Sequence, residues 1–199
     1  MDGSRNDDGY YYGQVTRKKN YPVMPDQSLI VVNILRDVVT AVDNALFPTL
    51  QKHIFYYHGR SIQILAKLQA LNSSATLKGT KYPLFAVFQD FPEQIGSGYG
   101  LTVKFPKISI ACLTNSTDEP PDRYPKTFEP ILYPIYEEFR RQLARHKNVV
   151  GNDPKTFTAI KFDRPGSQPE GGNMNDYLDA IELDNMEITF KTVQNCRKH

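Results

Sequence analysis

The chain has 199 residues, a formal net charge of +2, 40% hydrophobic residues and 23% charged residues. That is enough apolar material for the core of one domain and too much for a wholly disordered chain. The balanced charge excludes a strongly basic chain built to coat nucleic acid, and two cysteines, Cys112 and Cys196, exclude a disulfide scaffold or a four-thiolate metal site.

Residues 1–25 form an N-terminal arm ahead of a single domain over 26–199. The arm combines Tyr10, Tyr11 and Tyr12, the basic cluster Arg17, Lys18 and Lys19, then Tyr21, Pro22 and Pro25. It shows neither a strand nor a helix period. Disordered tails are poor in aromatics, so two readings stand: a solvated terminus, or an arm that orders against a neighbour. Its polar, acidic start is unlike a secretion signal, and no apolar run approaches the roughly 20 residues that span a bilayer.

The first helix is predicted over 28–51. Leu29, Val32, Leu35, Val39, Val42, Leu46 and Leu50 recur at three- and four-residue steps. Asp26 or Ser28 is its cap, and Pro48 ends or kinks it near Phe47. HIFYYHGR (53–60) reads as a strand closed by Gly59. A short helix follows over 61–71, with Ile62, Leu65, Leu68 and Leu71 three apart and Ser61 as cap. YPLFAVFQDF (82–91) is apolar on both faces, the pattern of a strand covered on both sides. PEQIGSGYG breaks it as a hairpin or insertion. LTVKF then alternates, Pro106 interrupts, and KISIACLT resumes with Ile108, Ile110 and Cys112 aligned; Cys112 reads as a small buried hydrophobe.

A second strong helix is predicted over 127–147, with Phe128, Ile131, Leu132, Ile135, Tyr136, Phe139 and Leu143 on one stripe. Thr127 is its expected cap, Glu137 and Arg141 a favourable i,i+4 pair, and Pro134 a bend or a delayed start. His146 falls at its C-terminus, where positive charge suits the helix dipole. A strand over 156–164 and two strands, 177–183 and 186–193, hinged at Asp184-Asn185, complete the chain. This order predicts an α+β fold: a largely antiparallel sheet flanked by two main helices, with an extended arm and long loops. Its core is predicted from Leu35, Val39, Val42, Phe85, Val87, Ile110, Ile135, Phe139 and Ile188.

The sequence offers little catalysis. GSGYG lacks the Lys-Ser/Thr ending of a phosphate loop and lies between strands. The histidines His53, His58, His146 and His199 have no carboxylate or cysteine at ligand spacing, and Ser109 has no nucleophile elbow. The expectation is therefore no enzyme, no metal and no cofactor. Asp176, Asp179, Glu182, Asp184 and Glu187 make the last predicted hairpin acidic. They are either the polar face of a sheet or an electrostatic interface or acidic channel wall.

The stretches YPLFAVFQDF, KISIACLTN, DRYPKTF, FEPILYPIYEEFRRQL and NDYLDAIELDNMEITF resemble the tail-terminator and neck proteins of tailed phages, especially those of gut Bacteroidetes. The resemblance covers about 28–193 and is most specific over 126–143 and 176–190. Crass-like phages build their neck from stacked ring proteins of this general kind. The resemblance implies a tail-terminator-like, helix-flanked sheet and a virion protein of the tail or neck, made in the bacterial host cytoplasm. It also implies assembly with itself into a ring, six- or twelve-fold, beside the portal or other neck and tail rings. DNA passes through without specific binding, and no membrane is involved. The family supplies no catalytic residues. The arm and PEQIGSGYG lie outside the common pattern, so Tyr10, Tyr11, Tyr12, Arg17, Lys18, Ile95 and Tyr99 are the candidate assembly contacts. The alternatives are a small ligand- or nucleic-acid-binding α+β module and an enzyme whose site carries no recognised motif.

Overall fold

The structure is a computed structural model and describes residues 27–48, 53–73, 78–95, 100–150, 158–163 and 176–191. Helix α1 (Gln27–Leu46) leads to strand β1 (Phe55–Gly59) and helix α2 (Ser61–Asn72). A single 3-10 turn (Lys78–Lys81) enters β2 (Leu84–Phe88), followed by β3 (Glu93–Ile95) and the long β4 (Gly100–Leu113). The chain then coils as α3 (Pro120–Arg123), a π-helical stretch (Tyr124–Leu132) and α4 (Tyr133–Arg145), and ends in β5 (Thr158–Asp163) and β6 (Leu178–Lys191). The strands form one sheet in the order β1-β2-β4-β6-β5, with β3 beside β4. Among the described residues only β1 and β2 run parallel; the other strand pairs are antiparallel. The class is α+β, as the sequence predicts, with a mixed sheet.

The centre of the sheet is β4 against β6. Their register is the same from Gly100↔Lys191 to Leu113↔Leu178, with one pair missing at Pro106 and Asn185. Leu101, Val103 and Phe105 face the main core, and so do Ile108, Ile110 and Cys112. The alternation slips by one residue at Pro106-Lys107. On β6 it slips at the same level: Met186, Ile188 and Phe190 face the core, and so do Ile181 and Leu183, with Asp184-Asn185 between them. Asn185 takes φ 57°, the left-handed conformation that Asn tolerates, directly across from the proline. Because both strands change parity together, the register survives and both halves keep their apolar residues on one side.

This corrects two expectations. Pro106 does not divide β4, and Asp184-Asn185 is not a hairpin: residues 178–191 are one strand. PEQIGSGYG also yields order at its front. Glu93–Ile95 pairs with Leu101–Val103 and continues the path of β2 along the same edge of β4.

The main core lies on one side of the sheet. There α1 contributes Val31, Ile34, Leu35, Val38, Val39 and Val42, while the 124–145 run contributes Phe128, Leu132, Ile135, Phe139 and Leu143. Every predicted core residue lies in this cluster. A smaller cluster on the other face packs Ile64 and Leu68 of α2 on Leu84, Ala86, Ala111, Leu178 and Ala180. β2 is thus covered on both faces, which is why its sequence is apolar without alternation. The helix over 120–145 begins earlier than predicted. Thr127 is not a cap but a buried residue inside the run. Pro125 and Pro130 supply no N–H, and the wide π turn carries the chain past them. Ser61 is not the cap of α2 either; Arg60 precedes it, and its N–H donates to Gln63 Oε1 at 2.9 Å.

Phe139 is fully buried, with its ring centroid 4.8 Å from that of Phe85. Phe139→Ala removes the ring contact with Phe85 and should cost about 3–5 kcal/mol in denaturant unfolding. A change near zero would contradict this packing.

Candidate functional site

The residues best able to do polar work are the charged side chains withdrawn from water. Arg123 and Asp179 are 1% and 0% exposed. Arg123 ends α3, and Asp179 follows the first residue of β6. Arg123 Nη1 lies 3.3 Å from Asp179 Oδ1, and its Nε donates to the Asp118 carbonyl at 3.0 Å. The Thr127 hydroxyl lies 2.5 Å from Asp179 Oδ2 and 2.7 Å from the Arg123 carbonyl, and donates to one of them. Lys126 on the outer side meets Asp118 at 2.6 Å. This cluster ties the start of the helical run to the start of β6.

A second cluster joins α2, the 3-10 turn and the entry to β6. Lys81 is 0% exposed, and its ammonium contacts Asn72 Oδ1 and Asp176 Oδ2. Tyr82 donates to Asp176 Oδ2 at 3.2 Å, and Lys81 Nζ sits 5.1 Å from the Tyr82 ring centroid. Burial opposes ionisation of Asp176, but the hydrogen bonds and charge of Lys81, helped by Asn72 and Tyr82, outweigh it and hold the carboxyl below its ordinary 3.8. Burial, then the neighbouring Asp176 charge, pushes the Tyr82 phenol far up, so it stays a neutral donor.

Two further groups are partly open. The Asp43 carboxylate holds the entry to β1, accepting from Ile54 N–H at 2.8 Å and meeting His53 Nδ1 at 2.8 Å. Tyr56 of β1 donates to the Val32 carbonyl at 2.8 Å, and burial raises its pKa despite the Arg36 guanidinium 5.8 Å from its ring. At the β5 end of the sheet, Tyr124 stacks on Phe128 and meets Tyr133 edge-on, while Lys161 Nζ stands 4.4 Å from the Tyr133 ring centroid. Burial would raise the Tyr133 pKa, but hydrogen bonds from Lys161 and Tyr124 bring it below its usual value.

The sequence-predicted residues fall out as follows. Tyr10, Tyr11, Tyr12, Arg17, Lys18 and Tyr99 lie outside the described residues. Ile95 ends β3 opposite Leu101. The five acidic residues do not make one surface. Asp176 and Asp179 are closed on Lys81 and Arg123, and Asp179 is no surface residue at all. Glu182 pairs with Lys107 at 2.6 Å, while Asp184 and Glu187 stand across from Lys107 and Lys104. The predicted Glu137–Arg141 pair is replaced by Glu138–Arg141, with Gln142 donating to Glu138 at 2.6 Å. The His146 pKa is lowered, chiefly by burial, so the expected positive charge at the helix end is disfavoured. The sequence reading did not single out Arg123, Lys81, Tyr133 or Lys161. A lone Arg between prolines in PPDRYP and a Lys abutting the apolar YPLFAVF were the only local signs.

Among the described residues no group of three or more His, Cys, Asp or Glu side chains is placed to hold a metal, and no helix is long and apolar enough to cross a membrane. Compared with models of protein families, with characterised proteins and with solved structures, the chain matches none.

The two clusters give separable tests. Arg123→Met strands the Asp179 carboxylate in the interior and should destabilise by about 3–5 kcal/mol, whereas Arg123→Met with Asp179→Leu should recover most of the loss. Chemical denaturation of the three chains checks this, and an unrecovered double variant would refute the pairing. Asp176 has a folded pKa below its unfolded one. Its contribution is therefore complete above about pH 4 and is lost as the pH falls through the folded value. The stability gap between the parent chain and Asp176→Asn should be widest near neutrality and shrink in acid. A gap that is constant from pH 7 to pH 3 would exclude the Lys81 link.

Proposed function

We propose that this chain is a structural subunit of a tailed-phage particle. It joins copies of itself into a ring in the head-to-tail connector or tail, between portal and tail components and around the path of the DNA. One observation carries this reading. The two stretches on which the resemblance is most specific, 126–143 and 176–190, are distant in sequence and pack as one unit. Leu132, Ile135 and Phe139 share a core with Ile181, Leu183, Met186 and Ile188, and Thr127 meets Asp179 within it.

Two properties of the unit support the same reading. Its ends are tied to other elements by buried charges, Asp179 to Arg123 and Asp176 to Lys81. The sheet face opposite the main core sets Lys104 across from Glu187 and Lys107 beside Glu182 and Asp184. Such a face presents little net charge. A conduit that DNA slides through needs this, because a lysine-lined wall would neutralise phosphates and hold the genome.

Mass measurement in solution tests the ring. Alone or with a portal ring added, the full chain should form particles of six or twelve times 22.7 kDa; a monomer at every concentration would overturn the reading. Duplex DNA should bind no tighter than about 10⁻⁶ M at physiological salt. Tight, sequence-specific binding in a mobility-shift assay would favour a nucleic-acid module instead.

A further inference from the structure

The short β3 flanks β4 beyond the end of β2, and the main strand path ends at β1 on one side and at β5 on the other. These two ends differ in how the edge is guarded. β5 carries Lys161 and Asp163 among its six residues. β1 reads Phe-Tyr-Tyr-His-Gly, with no Lys, Arg, Asp, Glu or Pro. Charges and prolines are what stop an edge strand from accepting another strand.

The pairing of β1 with β2 decides which of its backbone groups are on offer. Phe55 N–H donates to the Pro83 carbonyl at 2.8 Å, and the Gly59 carbonyl accepts from Gln89 N–H at 3.1 Å. These bracket the parallel register Phe55↔Leu84 to Gly59↔Phe88. In a parallel ladder alternate residues bond the neighbour, so Phe55, Tyr57 and Gly59 face β2. The N–H and C=O of Tyr56 and His58 therefore point out of the sheet. The strand that presents them is held on both faces: Tyr56 is tied to α1 through the Val32 carbonyl, and Tyr57 stacks with Phe55 at 6.1 Å beside α2.

We propose that the outer edge of β1 receives a strand from the N-terminal arm of a second copy of this chain, with residues 10–16 as the added strand. This rests on the ring reading above and names where its subunits join. The arm has the reach to an adjoining copy. Residues 17–26 link the added strand to α1, and ten residues at about 3.3 Å each extend roughly 33 Å, most of the roughly 40 Å width of a domain of this size. The arm also has the composition: Tyr10, Tyr11, Tyr12, Val15 and Thr16 favour strands, and its prolines, Pro22 and Pro25, come only in the linking stretch. In strand addition the backbone supplies affinity and alternate side chains supply fit. Each copy gives at one surface and receives at another, a head-to-tail contact that closes into a ring.

Hydrogen exchange read at single amides of the full chain tests this. In the assembled protein the Tyr56 and His58 amides should exchange at least about tenfold more slowly than in the same chain carrying Tyr11→Pro and Val15→Pro, which block pairing by the arm. The Tyr57 amide, bonded to β2, should be equally slow in both and reports an intact fold. Equal exchange of Tyr56 and His58 in the two chains overturns the proposal. So does arm-dependent protection that persists on dilution to the monomer, because it places the arm on its own copy. A chain that assembles by mass while Tyr56 and His58 stay unprotected refutes this inference alone, whereas a chain monomeric at every concentration refutes the ring reading with it.

Discussion

The β4–β6 ladder holds the remaining elements in place. Two 14-residue strands share one register from Gly100↔Lys191 to Leu113↔Leu178, and each other strand pairs with one of them or with β2 at their flank. A one-residue slip along such a pair would turn every apolar side chain to the wrong face. The sequence contains that slip, at Pro106 on β4 and at Asn185 on β6. It is harmless because it occurs on both strands at the same level. Proline there removes one donor from the ladder, and Asn185 adopts the left-handed backbone that few other side chains accept. Either change alone would set Leu101, Val103 and Phe105 against the face that Met186, Ile188 and Phe190 require.

The buried charges act at the ends of this ladder. Asp179 and Asp176 stand at and just before the start of β6, and each is closed by a cation from a different layer: Arg123 from the helical run on the main-core side, Lys81 from the turn beneath α2. An isolated buried ion is costly, and a buried pair contributes little net stability compared with apolar residues of the same shape. What the pairs add is specificity. Only one docking of the helical run puts Arg123 and Thr127 on Asp179 together, and only one entry to β6 puts Asp176 on Lys81, Asn72 and Tyr82.

The fold was largely legible because its strongest signals are periodic. The helical faces of Leu35, Val39 and Val42 and of Ile135 and Phe139 follow from spacing alone, as does the two-faced burial of β2, with Phe85 and Val87 on one side and Leu84 and Ala86 on the other. The misreadings came where a local rule met a non-local partner. Asp184-Asn185 has turn chemistry, and nothing within a few residues says that β4 carries a matching slip. Thr127 has cap chemistry, yet its hydroxyl answers to Asp179, 52 residues away. Pro134 argues for a bend or a late helix start, whereas the run begins upstream, and the wide π turn that passes Pro125 and Pro130 has no sequence rule. The candidate site was less legible for the same reason. Arg123 and Asp179 are 56 residues apart and Lys81 and Asp176 are 95 apart, and an acidic run on paper divided into buried pairs and a balanced face.

The contrast between the two sheet edges bears on what kind of assembly this block is suited to. An unguarded edge such as β1 pairs most simply with its own copy about a two-fold axis, which gives a closed dimer and stops. A donated arm competes with that pairing. It satisfies the same outward groups of Tyr56 and His58, and it leaves the receiving copy with a free arm of its own. The contact is then directional, and copies add in one sense until geometry closes the ring. β5 carries the exposed Lys161, and a charge of this kind makes an edge a poor acceptor of another strand. An aromatic edge on one side and a charged edge on the other thus favour one acceptor for each donor, which a ring needs and a two-fold dimer does not.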